Sequence, residues 1–546
     1  MKRLLLCILT LAMLLAAGCT PAGPTEPEGP MDLSGKYALD ESRNEAIVND
    51  WGTVTAANAG NARVYYQIFV GSFSDSNGDG IGDLRGIINR FDYLNDGDDN
   101  SGLSLGVEGI WLSPIFTSPT YHKYDASNYY QIDPQFGTMA DLQELIELCH
   151  SRNVQIILDL VINHSSSNHP AFKEFKEAHA GFDTTSKYYD YYSWSETRGN
   201  GTWQVMAGSG HFYECNFSGD MPELNYDNPV VRQDMVDLAK YYLDMGVDGF
   251  RFDAAKYIYY GDEARNAEFW QWYMGELRKI KPDIYTVAEV WDSDSVTYPY
   301  LASTNCFNFS MSQTSGRIAQ TAKGGNVNSY INYIDSYLKE IRSRKEDAML
   351  VTFIANHDMD RAAGYLTTFS GHAKLAANLS ILTPGSPFIY YGEEIGLLGS
   401  RGGANTDANR RLAMLWGDGD TVKDPTGANY KAAQSNGTVA DQLPDGNSLF
   451  SHYKKLIAIR KANPEIAYGT FTPLKVSSSY AGGFLSTWNG STVAVLHNST
   501  TETVTIDLAQ VTDVPLAAIT AYAGAGSAKL EGTVLTIEAQ TSVVLR

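Results

Sequence analysis

The sequence predicts an α/β protein built on a (β/α)8 TIM barrel, with an inserted subdomain after strand 3 and a C-terminal antiparallel β-sandwich. Three observations predict this fold. Short apolar runs alternate with helical patterns from about Arg63, one interval between runs is too long for a single crossover helix, and alternating β-type stretches follow Lys461. Of the 546 residues, 43% are hydrophobic and 19% are charged, so the chain can bury several such units.

Eight short apolar runs are the predicted barrel strands. Parallel runs with interposed helices fit a closed barrel better than an open doubly wound sheet, because no Gly-rich phosphate loop follows the first run. In chain order the runs are residues 64–70, 109–112, 154–160, 249–252, 284–288, 306–309, 349–354 and 387–391. They place the barrel in residues 61–163 and 226–462.

Roughly ninety residues separate the third run from the fourth, far more than a crossover helix needs. The first part of this interval, His164 to Met221, is rich in Tyr, Trp, Ser and Gly and shows no clear helical period. Insertions after a barrel strand emerge at the C-terminal face, so residues 164–225 are predicted to form a subdomain that walls the active-site mouth. Residues 463–546 alternate as antiparallel strands do and are predicted to form the sandwich.

The N-terminus has the pattern of a bacterial lipoprotein signal peptide in residues 1–18. Lys2 and Arg3 precede an apolar run, and small residues precede Cys19. The lipobox-like pattern predicts cleavage before Cys19 and lipidation of that cysteine. Residues 19–60 are predicted to be a tether, so the mature protein is expected to be extracytoplasmic and attached to a bacterial membrane, at the cell surface, through the lipid only.

The net charge of −22 argues against a nucleic-acid partner, because such a partner requires a positive surface. This charge is compatible with a neutral polymer. Cys149, Cys215 and Cys306 have no paired metal spacing, so they are predicted to be mostly buried thiols, with one disulfide possible.

Four acids stand at the ends of predicted barrel strands, where the chemistry of such barrels is located: Asp159, Asp253, Glu289 and Asp358. Convergent acids suit glycosidic cleavage, in which one carboxylate attacks the anomeric carbon and another, kept protonated, protonates the leaving oxygen. Arg251 lies two residues before Asp253 on one strand, so its guanidinium can hold that aspartate ionised, as a nucleophile requires. Glu289, on the next strand, is close enough to be the acid.

Four segments resemble, in order, the four main motifs of the α-amylase family, glycoside hydrolase family 13. They are residues 159–164 (DLVINH), 249–256 (GFRFDAAK), 289–291 (EVW) and 353–358 (FIANHD). The resemblance covers the chain from about Arg63 to the end. It implies that Asp253 is the nucleophile, Glu289 the general acid/base and Asp358 the carboxylate that distorts and holds the sugar. It also implies retention of anomeric configuration.

The same resemblance implies the residues that contact substrate. Tyr124 would be a stacking platform beside the cut, and His122 would bind a sugar hydroxyl. His164, Arg251 and His357 would contact the innermost sugar, and the implied substrate-binding set also includes Asp159 and Lys256.

The activity expected from the resemblance is internal cleavage of α-1,4 bonds in starch and maltooligosaccharides by a monomer. Members that trim single glucoses often carry an aspartate near the place of His122, and its absence here favours an open cleft. Residues 221–225 (MPELN) look intermediate between oligo-1,6-glucosidase-like and neopullulanase-like versions of a fifth motif, a pattern shared by some lipid-anchored α-amylases. Oligo-1,6-glucosidase, neopullulanase, exo-acting α-glucosidase and transglycosylase activities therefore stay open. The non-enzymatic alternatives are a surface starch-binding protein and an ancillary chain of an amino-acid transporter.

A calcium site is predicted in the loop after the first barrel strand, where oxygen-bearing residues alternate around a glycine turn. The loop begins like an EF-hand, but Gly86 stands where the bidentate glutamate is expected. It resembles the calcium loop of the oligo-1,6-glucosidase-like branch, which implies Ca²⁺ ligands at Asp75, Asn77, Asp79 and Asp83 and the Ile81 carbonyl. The expected role is stability rather than chemistry.

Overall fold

A computed structural model describes residues 52–368, 371–403 and 406–546. The predicted signal peptide, the lipidation site Cys19 and most of the tether lie outside the described residues. Within them, no helix is long and apolar enough to cross a membrane. Residues 54–60, at the end of the predicted tether, pack onto the barrel: Val54 N–H donates to Asn100, and Asn58 Nδ2 donates to Glu108 Oε1 at 3.0 Å.

The first half of the barrel contains five strands, two of which pair outside the barrel wall. They are β1 (Tyr65–Ile68), β2 (Gly109–Leu112), β3 (Phe116–Thr117), β4 (Asn128–Ile132) and β5 (Gln155–Leu160). The helices of this half are α1 (Leu84–Asn89), α2 (Phe91–Leu94) and α3 (Met139–Ser151). A reciprocal capping box between Thr138 and Asp141 fixes the start of α3.

The segment after β5 folds as a small unit with its own sheet. It contains α4 (Pro170–Ala180) and the antiparallel strands β6 (Trp194–Ser195), β7 (Trp203–Val205) and β8 (Phe212–Glu214), ordered β6-β8-β7. Bridges from His164 to Glu223 and from Tyr192 to Leu224 hold both ends of the segment together.

Helix α4 corrects the sequence reading, which found no helical period in this segment. His169 accepts the N–H of Ala171 at the N-cap, Pro170 occupies the first turn, and Phe172 and Phe175 bury one face. The aromatic and small-residue composition of the whole segment obscured this single 11-residue helix.

The second half supplies the remaining barrel strands, β9 (Gly249–Phe252), β10 (Tyr285–Ala288), β11 (Asn305–Cys306), β12 (Val351–Phe353) and β13 (Ser386–Tyr390). Its helices are α5 (Pro229–Met245), α6 (Glu263–Ile280), α7 (Asp294–Thr297), α8 (Arg317–Ala322), α9 (Val327–Arg344), α10 (His372–Ile381), α11 (Val439–Gln442), α12 (Leu449–Ala462) and α13 (Glu465–Tyr468).

The eight barrel strands are all parallel, in the order β11-β10-β9-β5-β2-β1-β13-β12. A parallel bridge from Phe307 to Val351 joins β11 to β12 and closes the barrel. Aromatic rings fill its interior, with Tyr65 stacked on Phe388 at 4.7 Å and Phe307 between Trp111 and Phe388. The predicted barrel is confirmed. Its packed interior lies directly beneath the strand-end acids.

Two antiparallel sheets form the C-terminal unit. Their strands are β14 (Thr470–Pro473), β15 (Ala481–Trp488), β16 (Ser491–Asn498), β17 (Val504–Asp507), β18 (Ile519–Gly524), β19 (Ala528–Glu531), β20 (Val534–Ile537) and β21 (Thr541–Leu545). The sheets are ordered β14-β15-β16-β21-β18 and β17-β20-β19. One apolar cluster joins Leu496 and Val543 of the first to Leu535 of the second, as the predicted sandwich requires.

The three described cysteines, Cys149, Cys215 and Cys306, are buried free thiols, so no disulfide links them. Burial raises the pKa of the Cys215 thiol to about 11, which keeps it protonated at neutral pH.

Candidate active site

The predicted strand-end acids meet at the carboxyl end of the barrel. Asp253 directly follows β9, Glu289 directly follows β10, and Asp358 lies in the turn after β12. Asp159 lies within β5, beside Arg251 in the register. Because parallel strands end on one face of the barrel, four segments distant in sequence place their acids in one site.

Arg251 is the centre of this cluster and is fully buried. Its Nη1 donates to Asp253 Oδ1 at 2.7 Å and to Asp159 Oδ1 at 2.8 Å, and its Nη2 donates to Glu289 Oε2 at 2.8 Å. The guanidinium carbon also lies 5.2 Å from the ring centre of Trp111. One rigid cation therefore fixes three carboxylates. The contact with Asp253 is the one predicted from the sequence, and the contacts with Asp159 and Glu289 are additional.

The surroundings of Glu289 and Asp253 favour different protonation states for the two carboxyl groups. Burial raises the pKa of Glu289 to about 7. Burial also raises the pKa of Asp253, but the charge of Arg251 and hydrogen bonds from Arg251 and Glu289 oppose that rise. Glu289 accepts hydrogen bonds from Arg251 and from the Ala254 N–H through Oε2, so Oε1 can carry the proton. The pair thus suits a protonated Glu289 beside an ionised Asp253.

The backbone after Asp253 is strained in a way that serves this pair. Ala254 has φ +50°, a left-handed conformation that costs about 1 kcal/mol for a residue with a Cβ. In this conformation its N–H points to Glu289 Oε2 at 3.2 Å. The strained turn therefore aims a backbone donor at the carboxylate of the next strand.

Asp358 stands in a second hydrogen-bonded group. His357 Nε2 lies 3.1 Å from Asp358 Oδ2 and 2.6 Å from the Tyr124 hydroxyl, and Gln67 Nε2 contacts its Nδ1 at 2.7 Å. Tyr124 stacks on the His357 ring with 6° between planes and donates to Asp159 Oδ2 at 2.9 Å. These hydrogen bonds connect the acids around Arg251 with Asp358. Tyr124, the predicted stacking platform, therefore contacts both groups of acids.

Arg411 is a site residue that the sequence reading missed. Its Nη2 donates to Asp358 Oδ1 at 2.7 Å, its Nε to the His357 carbonyl, and its Nη1 to the Tyr121 hydroxyl. Burial alone would raise the pKa of Asp358, but hydrogen bonds and charge from His357 and Arg411 bring this pKa well below its ordinary value. Asp358 is therefore an anion throughout the working pH range.

Replacing Arg411 by Met is expected to lower kcat/KM by about 10- to 100-fold, because hydrogen bonds to a charged group contribute about 1.5–3 kcal/mol each. Losing this cation raises the pKa of Asp358. The acid limb of the pH profile of kcat/KM should therefore move to higher pH. Arg401→Met is the matched control, since Arg401 also lines the cavity but pairs with Asp407 at 3.4 Å. An unchanged acid limb in R411M would remove Arg411 from this role.

Of the other predicted substrate contacts, some line the central cavity and one lies on its rim. His122 and His164 line the central cavity, and His164 Nε2 has no hydrogen-bond partner among the described residues. Burial lowers the pKa of both imidazoles to about 4, so each is neutral and can bind a hydroxyl. Lys256 lies on the rim, where its Nζ binds the Trp291 carbonyl and Asp292 at 2.9 Å each.

Asp159, Arg251 and His357 have fully buried side chains and lie behind the cavity wall. They hydrogen-bond to Tyr124, Asp253, Glu289 and Asp358 and so hold these four side chains in place. They do not line the cavity, so the structure does not place them as the direct sugar contacts that were expected.

The cluster of strand-end acids is part of a groove. A cavity of about 580 Å³ contains Asp253, Glu289 and Asp358. A cavity of about 340 Å³ shares Phe217, Glu289 and Trp291 with it, and one of about 500 Å³ shares Trp291, Asp358, Arg401 and Arg410. Phe217 and Trp291, which were not predicted as site residues, are 47% and 40% exposed. One face of Trp291 stacks on Phe309, and both rings leave surface open beside Glu289.

The predicted calcium loop curls onto its own backbone. Asp75 accepts N–H groups of Asn77, Gly78 and Gly80 and the Thr421 hydroxyl, and Asn77 and Asp79 each accept an N–H two residues on. Asp83 caps α1 and binds Ser76. The loop offers only oxygen ligands, which are the ligands that Ca²⁺ prefers. Among the described residues, no three His, Cys, Asp or Glu side chains lie close enough together to hold one metal ion.

Comparisons with known proteins agree with this geometry. The profile of the "Alpha amylase, catalytic domain" family matches residues 67–469. The chain is 34% identical to "Alpha-amylase 3" of Dictyoglomus thermophilum over 441 residues, 80% of this chain and 84% of that protein. It is 30% identical over 527 residues to "Oligo-1,6-glucosidase" of Parageobacillus thermoglucosidasius, with 81% and 90% covered.

Two further similarities concern a transferase and a solved structure. The chain is 32% identical over 413 residues to "4-alpha-glucanotransferase" of Thermotoga maritima, covering 73% of this chain and 87% of that protein. The solved structure "Eubacterium rectale Amy13B" matches with a TM-score of 0.84 and 33% identity over 92% of this chain and 98% of that one. These relatives carry hydrolase and transferase names, so membership of the family alone leaves open whether water or a sugar hydroxyl accepts the glycosyl group.

Proposed function

The chain belongs to the α-amylase family, glycoside hydrolase family 13, and we propose that it is a retaining, endo-acting α-amylase. Its substrates on this proposal are the internal α-1,4 bonds of starch and maltooligosaccharides. The observation that supports internal cutting most directly is the groove, which continues beyond the catalytic cavity through the residues shared with its two neighbours. A blind pocket would admit only a chain end.

The first chemical step uses Asp253 and Glu289 in opposite roles. The Asp253 carboxylate attacks the anomeric carbon and forms a covalent glycosyl ester as the bond from that carbon to the glycosidic oxygen breaks. The proton on Glu289 moves to the departing oxygen. Arg251 keeps Asp253 ionised, and Asp358, held by His357 and Arg411, binds sugar hydroxyls while the ring distorts toward the transition state.

The second step returns the enzyme to its starting state. Glu289, now ionised, takes a proton from water, and the resulting hydroxide attacks the anomeric carbon and releases Asp253. Two displacements at one carbon restore the original anomeric configuration. If a sugar hydroxyl replaces water in the cavity beside Glu289, the same residues perform transfer.

Digestion of defined glucans tests the endo-acting α-1,4 proposal. With soluble starch we expect the iodine colour to fall rapidly while few reducing ends form, and we expect mixed maltooligosaccharides as early products. Pullulan and isomaltose serve as α-1,6 probes, and maltotriose incubated alone reports transfer through longer products. Release of only glucose from starch with slow loss of iodine colour would contradict endo action. Faster cleavage of isomaltose than of starch would favour the oligo-1,6-glucosidase alternative.

We also propose that residues 75–83 bind Ca²⁺ through Asp75, Asn77, Asp79, Ile81 and Asp83. Donor chemistry supports this proposal, because the loop offers carboxylate and amide oxygens at alternate positions. Because a bound ion stabilises the folded state by mass action, by about 2.7 kcal/mol at one hundred times the Kd, chelation should lower Tm by about 2–3 °C. Adding Ca²⁺ should restore Tm, whereas Mg²⁺ should not.

The variant Asp75→Ala should make Tm insensitive to chelation. Asp96→Ala is the matched control, because Asp96 lies in another acidic loop where it binds Ser101 and Ser104. Equal chelator sensitivity of D75A and the unmodified protein would refute the assignment.

A further inference from the structure

A tyrosine-lined cavity lies outside the catalytic groove, on the far side of the wall that carries His164. Its volume is about 270 Å³, and none of the described residues that line it also lines the three cavities of the groove. Three parts of the chain build it: the middle of β4, the segment after β5, and the N-terminal half of α5. Tyr129, one of its lining residues, donates to the His164 carbonyl at 2.7 Å. The cavity and the groove therefore share one wall.

Ring faces dominate the lining and the rim of this cavity. Tyr188 and Tyr191 contact each other with centroids 5.5 Å apart and planes at 61°. At the rim Tyr130 is 49% exposed, although its ring packs edge-on against Tyr241 at 5.3 Å. Exposed tyrosine rings suit a ligand that has flat apolar faces and polar edges.

The polar groups of the cavity offer one acceptor and one donor. Asp234 Oδ2 accepts the Tyr191 hydroxyl at 2.8 Å, and its Oδ1 has no hydrogen-bond partner among the described residues. His169 Nδ1 accepts the Ala171 N–H at 3.2 Å, so Nε2 carries the proton and is free to donate. Burial lowers the pKa of His169 to about 4, which keeps this ring neutral.

The lining contains Asp234 and, among the described residues, no Lys or Arg, and the Lys187 ammonium outside it lies over the Tyr188 ring, 4.6 Å from the ring centre. The lining itself therefore offers an anionic ligand no cation. The volume lies near the lower end for ligand pockets, so one ring of a larger ligand could enter while its neighbours lie across the rim. A neutral, hydroxyl-rich ring with apolar faces meets all these conditions. A sugar is such a ring.

We propose that this cavity is a second carbohydrate-binding site, which holds a glucose unit of the same α-glucan that the groove cleaves. The identity of the polymer rests on the proposed function. Because the site is separate from the catalytic centre, it binds starch without adding to the chemistry. Its effect is therefore confined to long or insoluble glucans that can span both sites.

The test uses the full chain carrying Glu289→Gln, so that starch granules are bound without being consumed. Adding Tyr130→Ala and Tyr188→Ala should weaken adsorption to granules by about tenfold, the change expected for losing ring contacts of about 1.4 kcal/mol in total. Tyr480→Ala is the matched control, since Tyr480 in the C-terminal unit has the same 49% exposure. Both variants should keep the Tm of the parent, because the rings that they remove are exposed or half-buried and contribute little to the packed core.

A second measurement keeps catalysis intact. With Glu289 restored, the Tyr130→Ala, Tyr188→Ala variant should cleave maltotriose at the parent rate within about twofold and degrade granules more slowly. Adsorption equal to that of the parent would overturn the second site, and so would a parent that does not adsorb at all. A failure of the proposed function would appear instead as absent cleavage of soluble starch by the unmodified enzyme in the digestion test.

Discussion

Replacing Glu289 by Gln is expected to lower the rate of starch cleavage by about 10³-fold, because a positioned general acid contributes about 10²–10⁴-fold. Gln keeps the shape of the side chain and still accepts the Ala254 N–H, but it has no proton to give to the leaving oxygen. A substrate whose leaving group needs no proton, such as 2,4-dinitrophenyl α-maltoside, should recover most of the first step. Its initial burst should therefore remain near that of the unmodified enzyme.

The pH profile gives an independent readout of the same residue. Because the pKa of Glu289 is raised to about 7, kcat/KM for starch should fall as pH rises through 7 and the acid loses its proton. In E289Q this alkaline limb should disappear. Asp292→Asn is the control, since Asp292 pairs with Lys256 on the rim and its loss should change rates only a few-fold. Undiminished starch cleavage by E289Q would exclude Glu289 as the acid.

Replacing Asp253 by Ala should abolish starch cleavage by at least about 10⁴-fold, a loss comparable to that seen when a covalent nucleophile is removed from other hydrolases. The substitution leaves space in which azide can attack the anomeric carbon, while Glu289 still protonates the departing oxygen. The product expected is a β-glycosyl azide, because a single displacement inverts the α-linked carbon. Chromatography and proton NMR of the product measure both its formation and its configuration.

Asp358→Ala is the matched control for azide, because Asp358 binds the sugar and does not attack it on the proposed mechanism. A glycosyl azide formed by D358A and not by D253A would reassign the nucleophile. Removing the charge of Asp253 should also lower the pKa of Glu289, so the alkaline limb of the azide reaction should lie at lower pH. Arg251 keeps two carboxylate partners in D253A, so the cluster should remain folded.

The barrel and its strand-end acids could be predicted because each is encoded locally. A short apolar run such as residues 249–252 marks a buried parallel strand, and the residue that follows it must lie at the barrel's carboxyl end. Asp253 and Glu289 needed no further information. The pairing of Asp253 with Arg251 was also predictable, since both residues share one face of one strand. The hydrogen bond from Arg251 to Glu289 on the next strand was not predicted.

Residues on irregular segments could not be found in this way. Arg411 binds Asp358 from a long segment after β13 that has no helical or strand period, so nothing local distinguishes it from Arg410. Phe217 reaches the groove from the segment that contains β6–β8, where many aromatic residues are packed inside. Only the tertiary fold separates the rings that face a ligand from those that fill a core.

The chain enters the barrel on the face opposite the groove. Asn58 bonds to Glu108 and Arg63, which precede β2 and β1, so the entering segment lies at the amino ends of the strands. The catalytic groove lies at the opposite, carboxyl end. A lipid attached through the residues that precede Gly52 would therefore be joined to the barrel on the face opposite the groove, so the point of attachment would not obstruct the approach of a glucan chain.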